Sequence, residues 1–178
     1  MRQMRSPMPD FQLHHRAALA GVTAINGARI RLTPLPEGTV LQVLGAPAEV
    51  GKSGEIADKY GFSVRKNGPA DRFWVADQPV SSGFLPEISA QWPELSVVDQ
   101  SHGRVRIAIE GDAVEDVLAK GTGIDLANFE VGSATTTLIG HIATHITRIA
   151  PDRFELMVLR GFAESLWHDL ETMIREFI

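Results

Sequence analysis

From Thr39 onward the chain reads strand, helix, strand, strand, helix, and from Val105 it reads in that order again. In the first pass Thr39–Leu44 is a compact apolar strand, and Gly51–Tyr60 is helical. Gly61 follows where a left-handed C-terminal cap belongs. Phe62–Lys66 and Arg72–Ala76 are strands joined by Asn67-Gly68-Pro69, and Phe84–Gln91 is a short helix stopped before Pro93. Ahead of these, Asn26-Gly27 lies between short β-prone runs and predicts a tight hairpin turn. In the second pass Val105, Ile107 and Ile109 alternate with Arg104, Arg106 and Glu110, the pattern of a half-buried strand. Gly111-Asp112 opens a helix with capping-box spacing at Asp112-x-x-Glu115, ending at Gly121. Thr135–Ile149, rich in Thr and Ile, predicts one long strand. After a turn at Pro151 come the strand Phe154–Leu159 and a closing amphipathic helix over Phe162–Ile178. Its stripe is Phe162, Leu166, Leu170, Ile174 and Phe177.

Both hairpins carry a Pro followed by Asp-Arg-Phe, at Pro69 with Asp71-Arg72-Phe73 and at Pro151 with Asp152-Arg153-Phe154. A three-residue match can arise by chance; its like position in two like patterns speaks equally for an internal repeat. The expected fold class is α+β, with two ferredoxin-like β-α-β-β-α units sharing a core. Residues 1–20, with Pro7, Pro9 and the His14–His15 pair, read as a loosely ordered arm. The first unit then covers 21–95 and the second 96–178.

Composition narrows the function. The chain has no cysteine, which rules out disulfides, thiolate metal sites and cysteine nucleophiles and fits a reducing, cytoplasmic setting. Arg2 and Arg5 are not followed by an apolar signal-peptide core, and no apolar run is long enough to span a membrane. The net charge is −5, with both signs mixed along the chain, which disfavours nucleic acid as a partner.

Local chemistry is thin. Gly51-Lys52-Ser53 follows an apolar strand, but five residues separate Gly45 from Gly51 where a P-loop has four, and Glu49 would bring a carboxylate towards the phosphates. His141 and His145 have zinc-chelating spacing for a helix; on a strand the interval spans roughly 13 Å. A shared solvated or partner-facing side is then the better reading. Asp99, Ser101 and His102 cluster, yet neighbours on an extended chain point to different faces and form no relay by themselves. Asp125 fits a local cap in a loop. From Val131 to Pro151 there is no acidic residue, so acid–base chemistry lacks a carboxylate there. Among the tryptophans Trp74, Trp92 and Trp167, Trp167 widens the apolar side of the last helix, which suits either a generous core or an interface.

Four blocks occur in order: Val98-Asp99-Gln100-Ser101-His102-Gly103-Arg104; Leu118-Ala119-Lys120-Gly121 with Ile124-Asp125-Leu126; Thr137-Leu138-Ile139-Gly140-His141-Ile142; and Phe162-Ala163-Glu164-Ser165-Leu166-Trp167-His168. Together they resemble the gamma subunit of heterotetrameric sarcosine oxidase, over roughly Val97 to Leu170. Arg160-Gly161-Phe162 departs from that family's usual Arg-Ser-Phe, and Asp169 stands where a second aromatic is common.

The resemblance implies a fold similar to the folate-binding domains of aminomethyltransferases. It also implies a non-catalytic, assembly role in a complex that demethylates sarcosine oxidatively to glycine. Alpha, beta and delta-type subunits would be the partners, carrying FAD, FMN, NAD and tetrahydrofolate. No catalytic, cofactor or metal residue is expected on this chain. The expected interface residues are Ser101, His102, Arg104, His141, Trp167 and His168. The alternative is a stand-alone folate-binding or one-carbon transfer protein, with a small NTPase behind it. The aminomethyltransferases' acidic residue has no counterpart on the strand pair around Gly140–Arg148.

Overall fold

A computed structural model describes residues 12–178. The expected features at Arg2, Arg5, Pro7 and Pro9 lie outside the described residues. The strands, in chain order, are β1 (Ile25–Asn26), β2 (Arg31–Pro34), β3 (Thr39–Leu44), β4 (Ser63–Gly68), β5 (Asp71–Ala76), β6 (Ser96–Asp99), β7 (Arg104–Glu110), β8 (Ala134–Ile139), β9 (Ile142–Ala150) and β10 (Arg153–Leu159). The helices are α1 (Pro47–Lys59), α2 (Phe84–Gln91), α3 (Val114–Ala119) and α4 (Ala163–Ile174). The fold is α+β, as the patterning implied.

Two antiparallel sheets form. The four-stranded sheet has the order β4-β5-β3-β6, and the six-stranded sheet the order β1-β2-β7-β10-β9-β8. β3-α1-β4-β5-α2-β6 is a complete ferredoxin-like unit. In the second, β7, β9 and β10 supply three strands, and the fourth place is taken by β2 from ahead of the first unit. β2 pairs along β7 from Arg31↔Glu110 to Pro34↔Ile107. Chain segments therefore cross the division at 95/96 in both directions: β1 and β2 join the six-stranded sheet, and β6 joins the four-stranded one.

The layers run helix, sheet, sheet, helix. Strand alternation sends Leu41, Val43 and Trp74 outward, against Val50, Ala57, Phe84 and Ile88 on α1 and α2. On the other side Ile107, Ile109, Leu156 and Val158 meet Leu118 on α3 and Leu166, Leu170 and Ile174 on α4. Each fully buried aliphatic side chain here contributes roughly 1.5–3 kcal/mol. The layer between the sheets is different in kind. Its apolar cluster among the described residues is Val40, Phe73, Val75 and Met157, and Arg106, His145 and Glu155 are buried alongside.

Several local expectations change. α1 starts at Pro47, so Gly51-Lys52-Ser53 sits inside a helix, with the Ser53 hydroxyl donating to the Val50 carbonyl at 2.7 Å. No phosphate loop exists there. Asp112 and Glu115 form no capping box: α3 starts at Val114, and the two carboxylates pair with Arg29 and Arg148. The single strand expected over Thr135–Ile149 is the β8–β9 hairpin, turning at Gly140 (φ +58°). Glycine is the residue that takes this conformation without strain, which is why a Thr- and Ile-rich run can fold back there. Gly61 (φ +76°) ends α1 as expected, and Asp125 caps the short 3-10 turn Leu126–Asn128. The two Asp-Arg-Phe segments both open the third strand of a unit, but on opposite faces. Phe73 points into the inter-sheet layer, and Phe154 into the core under α3 and α4.

Candidate partner-facing corner and the charged seam between the sheets

The β2–β3 loop, the β6–β7 turn, the N-terminal arm and the end of β10 converge on one corner. The turn is built by its own backbone. The Gly103 N–H donates to the Gln100 carbonyl at 2.9 Å, and the Ser101 N–H to Asp99 Oδ1 at 2.8 Å. It is held to β3 by Gln100 N–H on the Val40 carbonyl (2.8 Å) and by Val40 N–H on Ser101 Oγ (3.1 Å). Asp99, Ser101 and His102 thus form no relay: the serine oxygen serves as a backbone acceptor, and the His102 ring meets His15 edge-on at 5.7 Å.

Glu37 sits at the centre of this corner. It accepts from His15 and, at 2.7 Å, from Arg160 Nη1, while Arg160 Nη2 donates to the Arg16 carbonyl. The His15 hydrogen bond holds the Glu37 carboxyl below the ordinary carboxylate range. Arg160 acts in the same sense, and partial burial opposes both. Beside Arg160, Leu159 and Phe162 are exposed, Phe162 by 53%.

The remaining expected interface residues disperse. His141 is exposed in the β8–β9 turn, and His168 is exposed on α4 within 3.7 Å of Glu171. Trp167 is only 3% exposed and belongs to the core. Its ring is turned inward, onto the cluster that Leu19 and Val22 also join. His141 and His145 do not share a face. His145 points into the layer between the sheets, where Nε2 lies 2.9 Å from the Lys66 carbonyl and the ring meets Phe73 edge-on at 5.2 Å.

That seam carries charge. Arg104 lies over the Phe73 ring at 4.9 Å. Burial lowers its pKa, with Asp71 opposing. Arg65 and Arg106 flank Glu155 at 3.7 and 3.6 Å, and Asp77 pairs with Arg106 at 2.8 Å from the rim. Burial lowers the Arg65 pKa, while the Glu155 charge opposes that. His145 is held below its ordinary pKa, first by burial and then by Arg104 and Arg65; the Lys66 carbonyl and Asp71 oppose. Among the described residues, no group of three or more His, Asp or Glu side chains is arranged to hold a metal ion, and no helix is long and apolar enough to cross a membrane.

Sequence reading passed over Glu37, Arg65, Arg106 and Glu155. Strand alternation does put Arg104 and Arg106 on one face of β7. It does not say that this face is covered by a second sheet.

Residues 89–176, just under half of the chain, match the family described as sarcosine oxidase, gamma subunit family. All four sequence blocks lie inside that stretch, so the resemblance is borne out there. A chain of the heterotetrameric sarcosine oxidase from Corynebacterium sp. U-96, in complex with pyrrole 2-carboxylate, has a similar structure: TM-score 0.77, 22% identity, 92% of this chain and 96% of that one. The glycine cleavage system aminomethyltransferase T from Bartonella henselae is similar at TM-score 0.57 and 17% identity, over 81% of this chain and 46% of that one. The fold is thus similar to that of an aminomethyltransferase, as the resemblance implied. No curated protein matches.

Proposed function

We propose that this chain, whose residues 89–176 carry the gamma-subunit family pattern, serves as the gamma-type subunit of a sarcosine oxidase-like complex. In this reading it acts in assembly and stability and contributes no catalytic residue. Oxidative demethylation of sarcosine to glycine would run on alpha, beta and delta-type subunits in the cytoplasm, with FAD, FMN, NAD and tetrahydrofolate held there. The observation that carries the reading is the coincidence of that family match with a fold superposing over almost the full length of a chain from a heterotetrameric sarcosine oxidase.

The surface favoured for partner contact is the corner around Ser101, His102 and Arg160, with exposed Leu159 and Phe162 beside it. A cluster of exposed apolar and charged side chains is the usual make-up of an interface core and rim. His141 and His168 are secondary contacts; Arg104 supports the corner from beneath. Co-expression with the candidate flavin-bearing subunits tests the reading. Co-purification at fixed stoichiometry is expected, and failure to co-purify with folded large subunits would defeat it. Tight stoichiometric binding of tetrahydrofolate by the isolated chain would instead favour the stand-alone one-carbon reading.

A further inference from the structure

The charged seam opens at one end, where Leu35, Ser63, Arg65, Asp77, Arg106 and Glu155 line a cleft of about 310 Å³. Arg106 reaches into it with its side chain 4% exposed, and Arg65 with 13%. Arg106 is partly satisfied, by the Pro36 carbonyl at 3.2 Å and by Asp77. Arg65 is not. Its buried Nε has no hydrogen-bond partner. Its nearest anion, Glu155, stands at 3.7 Å, beyond hydrogen-bond reach.

The charge balance points the same way. Two buried guanidiniums face a single buried carboxylate, because Asp77 lies at the rim with its side chain 71% exposed. A buried arginine is stabilised only when its donors and its charge are both met. Planar N–H forks of this kind match a carboxylate. Val75 and Ile149 give the cleft an apolar wall beside the guanidiniums.

We propose that this cleft is a binding site for a carboxylate, gripped by Arg65 and Arg106 with its aliphatic part against Val75 and Ile149. The carboxylate is either a small free acid or an acidic side chain presented by a bound protein. The site stands on this chain's own geometry and does not depend on the assembly reading.

The test titrates the purified chain with propionate and, separately, with N-acetylglutamate amide, against chloride at equal ionic strength. The Arg65 Nε–H resonance and the melting temperature are followed. Saturable binding in the millimolar range, about −4 kcal/mol, is expected for at least one probe. Propionate binding assigns the site to free acids; binding of the amide alone assigns it to a protein side chain. Arg65→Met should weaken binding at least about tenfold, the loss of a charge-assisted pair. Exposed Asp77→Asn, which removes a competitor for Arg106 with little risk to folding, should tighten it. Absence of saturable binding by either probe overturns the proposal, as does unchanged affinity in Arg65→Met. Should Arg65→Met fail to fold, unchanged or weaker binding in Asp77→Asn does so.

Discussion

Acidification should loosen the contact between the two sheets through His145. The ring is buried, and its Nε2 donates to the Lys66 carbonyl of β4, so the neutral tautomer already uses its one N–H. A proton added at Nδ1 would introduce a charge within a layer that holds Arg104 of β7 and Arg65 of β4. Asp71 on β5 is the acidic group that offsets it; Met157 on β10 and Thr136 on β8 flank the ring without charge. The folded-state pKa therefore lies below the unfolded value, and the unfolded chain binds the extra proton more readily. His145 costs nothing above an unfolded pKa of about 6.5; below it, stability falls by up to about 1.4 kcal/mol per pH unit until the folded-state pKa is reached. The assay is urea unfolding from pH 7.5 to pH 5, for the natural chain and for His145→Gln. Gln can keep the bond to Lys66 but cannot titrate, so subtraction removes every other group, Glu37 included. Identical pH slopes for the two proteins would refute the reasoning, as would an NMR titration of His145 at or above the ordinary histidine pKa.

Gly111 has φ +136°, and a Cβ there would lie 2.2 Å from the Arg29 carbonyl, so Gly111→Ala should cost at least about 3 kcal/mol in urea unfolding. Trp167→Ala should cost about 3–5 kcal/mol, because it empties core volume under α4 and does not trim an exposed patch; a loss under about 1 kcal/mol would return Trp167 to the surface. Arg160→Ala should speed tryptic cleavage after Arg16, read by mass spectrometry, since Arg160 ties the arm through the Arg16 carbonyl and Glu37. His102→Ala should change stability by no more than about 0.5 kcal/mol, the range of surface substitutions, while lowering the yield of co-purified complex.

Much of the fold was legible because the signals were local. Phe84–Gln91 and Thr39–Leu44 are bounded in the structure as periodicity and turn residues predicted. Thr135–Ile149 was misread for a physical reason. β-propensity reports that residues suit a sheet, not where the chain reverses, and one glycine in the left-handed region makes the reversal at Gly140. The capping box at Asp112 lost to pairing with Arg29, a partner 83 residues away in sequence. Of the candidate site, the turn bearing Ser101 and His102 was readable; its companions Glu37 and Arg160, 123 residues apart, were not.

The sequence alone determined the α+β class, the amphipathic last helix, the caps at Gly61 and Asp125 and the family resemblance of the second half. Each depends on residue type at short spacing, which the backbone reads directly. Long-range packing settled that β2 completes the second sheet, that Trp167 turns into the core, and that the polar faces of β7 and β10 meet the other sheet. Strand pairing and face-to-face packing choose among long-range partners by total burial and charge compensation. No single segment records that choice: Arg65 and Glu155 acquire their chemistry from facing one another across 3.7 Å.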